Sequence, residues 1–267
     1  MRAGIHLAND GNVTDEHLHL IENLRLVKGL VRLDCDWDEI DWRRLSGHLR
    51  QDAAIVLRLF FPGRLDASKF VSRSIRKLPP VLDALGDRKC YIEIHNEPNH
   101  KDGIEGWGPT EDDARDFSTW YAVVLFGLRQ HGFANLGFPG LAVGQWAHRE
   151  RTWAIVNRNN IRRSDWLGVH CYWQTPEQIE HLALGANWRW YRKRFPNKRI
   201  IVTEAANSGC HGAMGPPSPG EQETQYARWC ELAKGSVYGV AFFIMGGTEH
   251  WRGFQVYPET VRALEGI

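Results

Sequence analysis

The chain has 267 residues, with 33 Lys+Arg against 32 Asp+Glu and a net charge of +1. That length suits one α/β barrel or two average domains, and the balanced charge excludes the global field expected of a nucleic-acid or acidic-membrane binder. The five cysteines, Cys35, Cys90, Cys171, Cys210 and Cys230, are odd in number and form no C-x-x-C pair, so buried reduced thiols are expected rather than a disulfide framework. No apolar run reaches membrane-spanning length. The chain as written has no signal peptide, which predicts a cytoplasmic protein, or a secreted one whose leader has been removed.

Strand-like and helix-like segments alternate from one end to the other. The first strand is Ala3–Leu7, followed by a helix from about Thr14 to Lys28, with Asp15 and Glu16 in its first turn. The second strand is read as Leu30–Cys35, with a helix near Asp41–Arg50, and the third strand as Ala54–Phe60. A helical region over Asp66–Leu85 contains Pro79-Pro80 and is expected to break there. The fourth strand is the apolar run Cys90–Ile94, continuing through His95-Asn96-Glu97-Pro98, where Pro98 stops the ladder and holds Glu97 extended. A helix follows from Thr110 to about Gln130, opened by a capping arrangement of Thr110 with Asp113.

The fifth strand lies somewhere in Asn135–Val143, interrupted by Pro139-Gly140. A helix near His148–Asn159 precedes a sixth strand at Trp166–Tyr172, and a helix over about Pro176–Phe195 follows. The seventh strand is Ile200–Glu204, again an apolar β-branched run ending in one glutamate. A helix at Glu221–Lys234, an eighth strand at Val240–Ile244 and a short helix at Glu259–Leu264 complete the chain. Eight strand–helix units without a linker predict a single (β/α)8 barrel with short loops, one catalytic domain over residues 1–267. The rival doubly wound sheet is disfavoured, because no G-x-G-x-x-G follows the first strand and no P-loop occurs.

In a parallel barrel the ends of the fourth and seventh strands open on one face, the face that carries active sites. Glu97 and Glu204 would then form the carboxylate pair that glycosidic cleavage needs. Asn96-Glu97-Pro98 at the end of an apolar strand, with Val202-Thr203-Glu204 three units later, resembles the clan A retaining glycoside hydrolases. The resemblance implies Glu97 as acid/base and Glu204 as nucleophile, with Asn96 beside the substrate. It further implies an arginine near the nucleophile, for which Arg32 fits and Arg58 is an alternative. His170-Cys171-Tyr172 is similar to the family's His-x-Tyr, which implies a tyrosine bonded to the nucleophile and a histidine lining the site.

Two positions depart from the pattern. The eighth strand reads Phe243-Ile244-Met245 where many members have tryptophan, leaving Trp251 as a substitute, and the third strand lacks the family's histidine. Trp37, Trp107, Trp146, Trp173 and Trp251 lie near strand ends and could stack on sugar faces. The expectation is therefore a retaining β-glycoside hydrolase acting within a polysaccharide, a monomer with a carbohydrate substrate, no cofactor, no metal, and neither nucleic-acid nor membrane partners. The alternatives are a carbohydrate-binding barrel without catalysis and a metal-dependent barrel hydrolase using His6, His95, His170 and His211, although no His-x-His or His-Glu-x-x-His occurs.

Overall fold

The computed structural model describes residues 1–8, 13–35, 40–100, 107–144, 150–211, 214–247 and 249–267. Eight parallel strands close into a barrel in chain order: β1 (Arg2–Leu7), β2 (Leu26–Arg32), β3 (Ala54–Phe60), β4 (Lys89–Ile94), β5 (Leu136–Phe138), β6 (Trp166–Trp173), β7 (Arg199–Asn207) and β8 (Gly239–Met245). Nine helices are described around them: α1 (Asp15–Ile21), α2 (Trp42–His48), α3 (Ala67–Leu85), α4 (Glu111–Gln130), α5 (Glu150–Val156), α6 (Arg158–Arg163), α7 (Trp188–Arg194), α8 (Pro219–Ala233) and α9 (Pro258–Leu264). This is the (β/α)8 architecture expected from the alternation of segments. None of the described helices is long and apolar enough to cross a membrane.

Alternate side chains divide the apolar residues between two cores. Val27, Ile55, Leu57, Ile92, Val202 and Phe242 face the helices, while Leu26, Ala54, Val56, Tyr91, Trp166, Ile201 and Ala241 plug the lower barrel. Above that plug the inward positions turn polar. His6, Lys28, Arg58, Glu93, His170 and Glu204 are all buried.

Several elements differ from the sequence expectation. The first helix stops at Ile21, and β2 is Leu26–Arg32 rather than Leu30–Cys35. Leu18, Ile21 and Leu24 continue an apolar helical spacing, but Leu24 already belongs to the turn that feeds a buried strand. Pro79 and Pro80 do not break α3; both lie on its exposed face, where water can serve the carbonyls left without a donor. The segment read as Pro176–Phe195 is a 3₁₀ turn at Pro176–Glu180 followed separately by α7. The segment near His148–Asn159 is α5 with α6 following, and its start at His148 lies outside the described residues. The reciprocal cap of Thr110 and Asp113 is present as read.

Candidate active site

Glu97 is not extended. β4 ends at Ile94, and His95 (φ 76°) and Glu97 (φ 34°) both take positive φ, so the chain turns sharply before Pro98. Pairing holds this turn: the Glu97 N–H donates to the Gly140 carbonyl at 3.1 Å. Asn96 is buried between the two positive-φ residues.

Glu204 reaches the barrel interior by a different device. On β7, Val202 pairs with Val169, but the next pair is Glu204 with His170, so Thr203 is an extra residue in the strand. The same shift occurs against β8, between Val202 and Ala205. Without this bulge, alternation from the inward Ile201 would aim Thr203 into the barrel and Glu204 at the helices.

The two carboxylates meet. Glu97, His170 and Glu204 each place one polar atom so that all three lie within 4.8 Å of one another. Their surroundings differ. Glu204 Oε1 lies 2.5 Å from an Arg58 guanidinium nitrogen and 3.5 Å from Lys28 Nζ, and its Oε2 accepts from the Tyr172 hydroxyl at 2.6 Å. Burial alone would push Glu204 upward, but the charges of Arg58 and Lys28 hold it well below the usual carboxylate range. The Tyr172 phenol is pushed well above its ordinary value by burial and by Glu204 and Glu97, so it remains a donor.

His170 links the pair. Its Nε2 lies 3.3 Å from an Arg58 nitrogen, and since guanidinium only donates, Nε2 must accept. The proton is therefore on Nδ1, which donates to Glu97 Oε1 at 2.6 Å. This assignment bears on metal binding by the same three residues. A divalent cation would have to displace the Nδ1 proton and sit beside the positive charges of Arg58 and Lys28.

Beneath Glu204 lies a second carboxylate. Glu93 Oε2 accepts from Arg58 Nε at 2.8 Å and lies 3.1 Å from Lys28 Nζ, while its Oε1 accepts from the Gly140 N–H at 3.2 Å. Against the upward push of burial, Arg58 and Lys28 hold Glu93 far below the normal range. Lys28, buried and beside Arg58, is itself pushed down to about 8 despite both glutamates. Close approach here depends on two glycines. A Cβ at Gly168 would lie 2.9 Å from Glu93 Oε1, and one at Gly140 would lie 2.2 Å from the His170 ring.

The sequence-derived positions therefore divide. Glu97, Glu204, His170 and Tyr172 converge, with Asn96 adjacent. Arg32 does not join them; it pairs with Asp34 at the partly exposed end of β2, and Arg58 of β3 stands beside Glu204 instead. Trp173 points outward, fully buried, donating to Gln225 Oε1 at 2.7 Å, and so cannot meet a sugar. Trp107 packs on Phe117 and Trp120 under Arg64. Trp37 and Trp146 lie outside the described residues, as does the His211 side chain.

Near the end of β8 stands Phe243. It is inward by alternation from Ala241, stands 5.1 Å from the His6 ring and 6.5 Å from Tyr172, and carries Trp251 edge-on at 5.1 Å. Phe254 completes this aromatic wall, 5.5 Å from Phe243. The main omission of the sequence reading is Lys28, hidden by assigning it to a helix end. The run Leu26-Val27-Lys28-Gly29-Leu30-Val31 already has strand character, with one cation on an otherwise apolar face.

No protein-family model matches the chain, and no curated protein matches its sequence. Solved structures do resemble it. A variant of a GH128 subgroup I endo-β-1,3-glucanase from Amycolatopsis mediterranei, in complex with laminarihexaose, superposes with TM-score 0.59 at 16% identity over 99% of this chain and 98% of that one. A glucosidase from Croceicoccus marinus gives TM-score 0.65 at 14% identity, covering 98% of this chain and 64% of that one. A GH128 subgroup VI exo-β-1,3-glucanase from Aureobasidium namibiae gives 0.54 at 16%, over 91% and 82%. At these identities the shared property is the barrel fold.

Proposed function

We propose that this chain is a retaining β-glycoside hydrolase that cleaves within a β-glucan chain, with residues 1–267 acting as one catalytic domain and a monomer. The observation that carries the reading is the pair of facing carboxylates, Glu97 and Glu204, with oxygens within 4.8 Å at the C-terminal ends of β4 and β7. Retaining enzymes hold their carboxyl groups about 5–5.5 Å apart, whereas inverting ones need about 6.5–9.5 Å to admit a water. The neighbours named above include endo- and exo-acting β-1,3-glucanases, and solved forms of the endo-acting one carry substitutions at two different glutamates. These support a β-1,3-glucan as the substrate class.

Glu204, kept ionised by Arg58 and Lys28, attacks the anomeric carbon as the glycosidic C–O bond breaks. Glu97, the more open of the two at 14% against 6% side-chain exposure, gives its proton to the departing oxygen. Glu97 then takes a proton from water, which attacks the same carbon and releases Glu204. No metal or cofactor takes part. The test is incubation with a 2-fluoro β-glycosyl fluoride. The adduct is expected on the peptide containing Glu204, and labelling of any other residue, or an inverted first product by NMR, would overturn the assignment.

Two smaller effects follow from the same geometry. Tyr172→Phe removes a donor to a charged oxygen, and kcat should fall about 10- to 100-fold with little change in fold. Lys28→Met removes a cation 3.5 Å from Glu204, so the acid limb of kcat/KM should move to higher pH. The sign follows from the depressed value of Glu204: the wild-type nucleophile is ionised through the range where an ordinary carboxylate titrates, and losing Lys28 gives part of that range back. An unmoved acid limb would mean that Lys28 does not act on Glu204. Trp251→Ala should raise KM about two- to tenfold, with kcat less affected, if its ring is a platform for sugar.

A further inference from the structure

A second cluster of metal-type donors lies on the outer wall of the barrel, far from the carboxylate pair. His19 on α1 and Glu22 at the C-cap of α1 are one turn apart, and His48 is the last residue of α2. His19 Nδ1 stands 2.8 Å and His48 Nδ1 3.0 Å from the same oxygen, Glu22 Oε1. All three donor atoms lie within 4.8 Å of one another, and the imidazole rings meet edge-on at 5.1 Å. From this geometry we propose that His19, Glu22 and His48 form a binding site for a zinc-class divalent cation that clamps α1 to α2.

The donor set is the one that zinc takes in open sites: two imidazoles, one carboxylate and a fourth position for water. A tetrahedral ion with bonds of about 2.0–2.1 Å sets its ligands roughly 3.3 Å apart. The two nitrogen–oxygen separations are already near that value. Each has only to widen slightly to admit the ion, and His19, at 66% side-chain exposure, is free to swing. Arg44 of α2 is already paired with Asp15 of α1. That ion pair is a second tie between α1 and α2, at the opposite end of α1 from Glu22. Binding replaces hydrogen bonds with metal–ligand bonds and releases the Nδ1 protons.

The test uses the whole chain, stripped with a chelator and titrated with Zn2+ against a chromophoric competitor, alongside thermal melts. One ion per chain is expected with Kd on the order of 1 μM. At a hundredfold excess over Kd the melting temperature should rise by about 5 °C, and Mg2+ should leave it unmoved. His19→Ala and Glu22→Gln should each weaken binding at least about tenfold without altering the melting temperature of the stripped protein. Because the His19 side chain is mostly exposed, that variant keeps the test valid even if His48→Ala folds poorly. Zinc binding of equal strength in His19→Ala and Glu22→Gln, an equal shift with Mg2+, or no shift with zinc would overturn the proposal.

Discussion

Glu204→Gly is expected to cut turnover of a β-1,3-glucan by on the order of 10⁴-fold or more, equivalent to about 5.5 kcal/mol of transition-state stabilisation. On the proposed mechanism the loss is large because Glu204 itself bonds the anomeric carbon, while Arg58, Lys28 and Tyr172 contact Glu204. Removing the side chain leaves a hole on that face of the sugar ring. Azide should enter it and restore part of the rate on an activated β-glycoside, and the recovered glycosyl azide should have inverted configuration. Glu97→Ala should behave differently. Its loss is expected at about 10²–10⁴-fold on a glucan, and much smaller on a substrate whose leaving group needs no proton. Steady-state rates on glucan and on an aryl glycoside, with NMR of the azide product, separate the two roles. Undiminished turnover in both variants would place the catalytic groups elsewhere, and no turnover of any glycan by the unaltered chain would leave a carbohydrate-binding barrel as the better reading.

How much of this site could be read from the sequence depended on what kind of signal each residue gives. Glu97 and Glu204 were legible because each closes an apolar β-branched run, and a lone carboxylate there stands out. His170 and Tyr172 came from the resemblance to His-x-Tyr, with alternation placing both on one face of the strand. The means by which the two glutamates are aimed was not legible. Nothing in Val202-Thr203-Glu204 announces a bulge, because a bulge is set by pairing with β6 and β8, which are distant in sequence. Likewise Pro98 biases Glu97 toward extended backbone, but the turn fixed by Gly140 overrides that local preference.

The arginine illustrates a related limit. Arg32 and Arg58 both lie on strands flanking the site, and choosing between them requires the starting point of β2. Placing that strand four residues late moved Arg32 toward the pair and hid Lys28. With β2 at Leu26–Arg32, Lys28 enters the barrel between Glu93 and Glu204, and Arg32 falls at the rim with Asp34. Trp173 was misplaced for another reason. An indole near a strand end can face sugar or helix, and Trp173 faces α8 through its bond to Gln225. Only contacts across elements decide that.

The other large effect is on stability, at Glu93. Glu93→Ala should destabilise the fold by about 3–5 kcal/mol, because it leaves Lys28 and Arg58 buried with Glu204 as their remaining described carboxylate partner. For a chain of this size that corresponds to a melting temperature lowered by about 10 °C. The pH dependence has a definite sign. Glu93 has a depressed folded value, so its contribution is fully present above the ordinary carboxylate range and fades only as pH falls toward that depressed value. On the alkaline side, Lys28 is already pushed down to about 8 and loses Glu93's support in the variant, so it gives up its proton at lower pH there and the penalty of Glu93→Ala shrinks as pH rises. The melting-temperature difference from wild type should therefore be larger at pH 6 than at pH 9. Adding Lys28→Met to a Glu93→Gln variant removes one charge of each sign and should recover part of the loss, a coupling of about 1–3 kcal/mol in a double-mutant cycle. Additive losses, or a Glu93→Ala protein as stable as wild type, would show that the buried ion network does not hold the barrel's upper layer together.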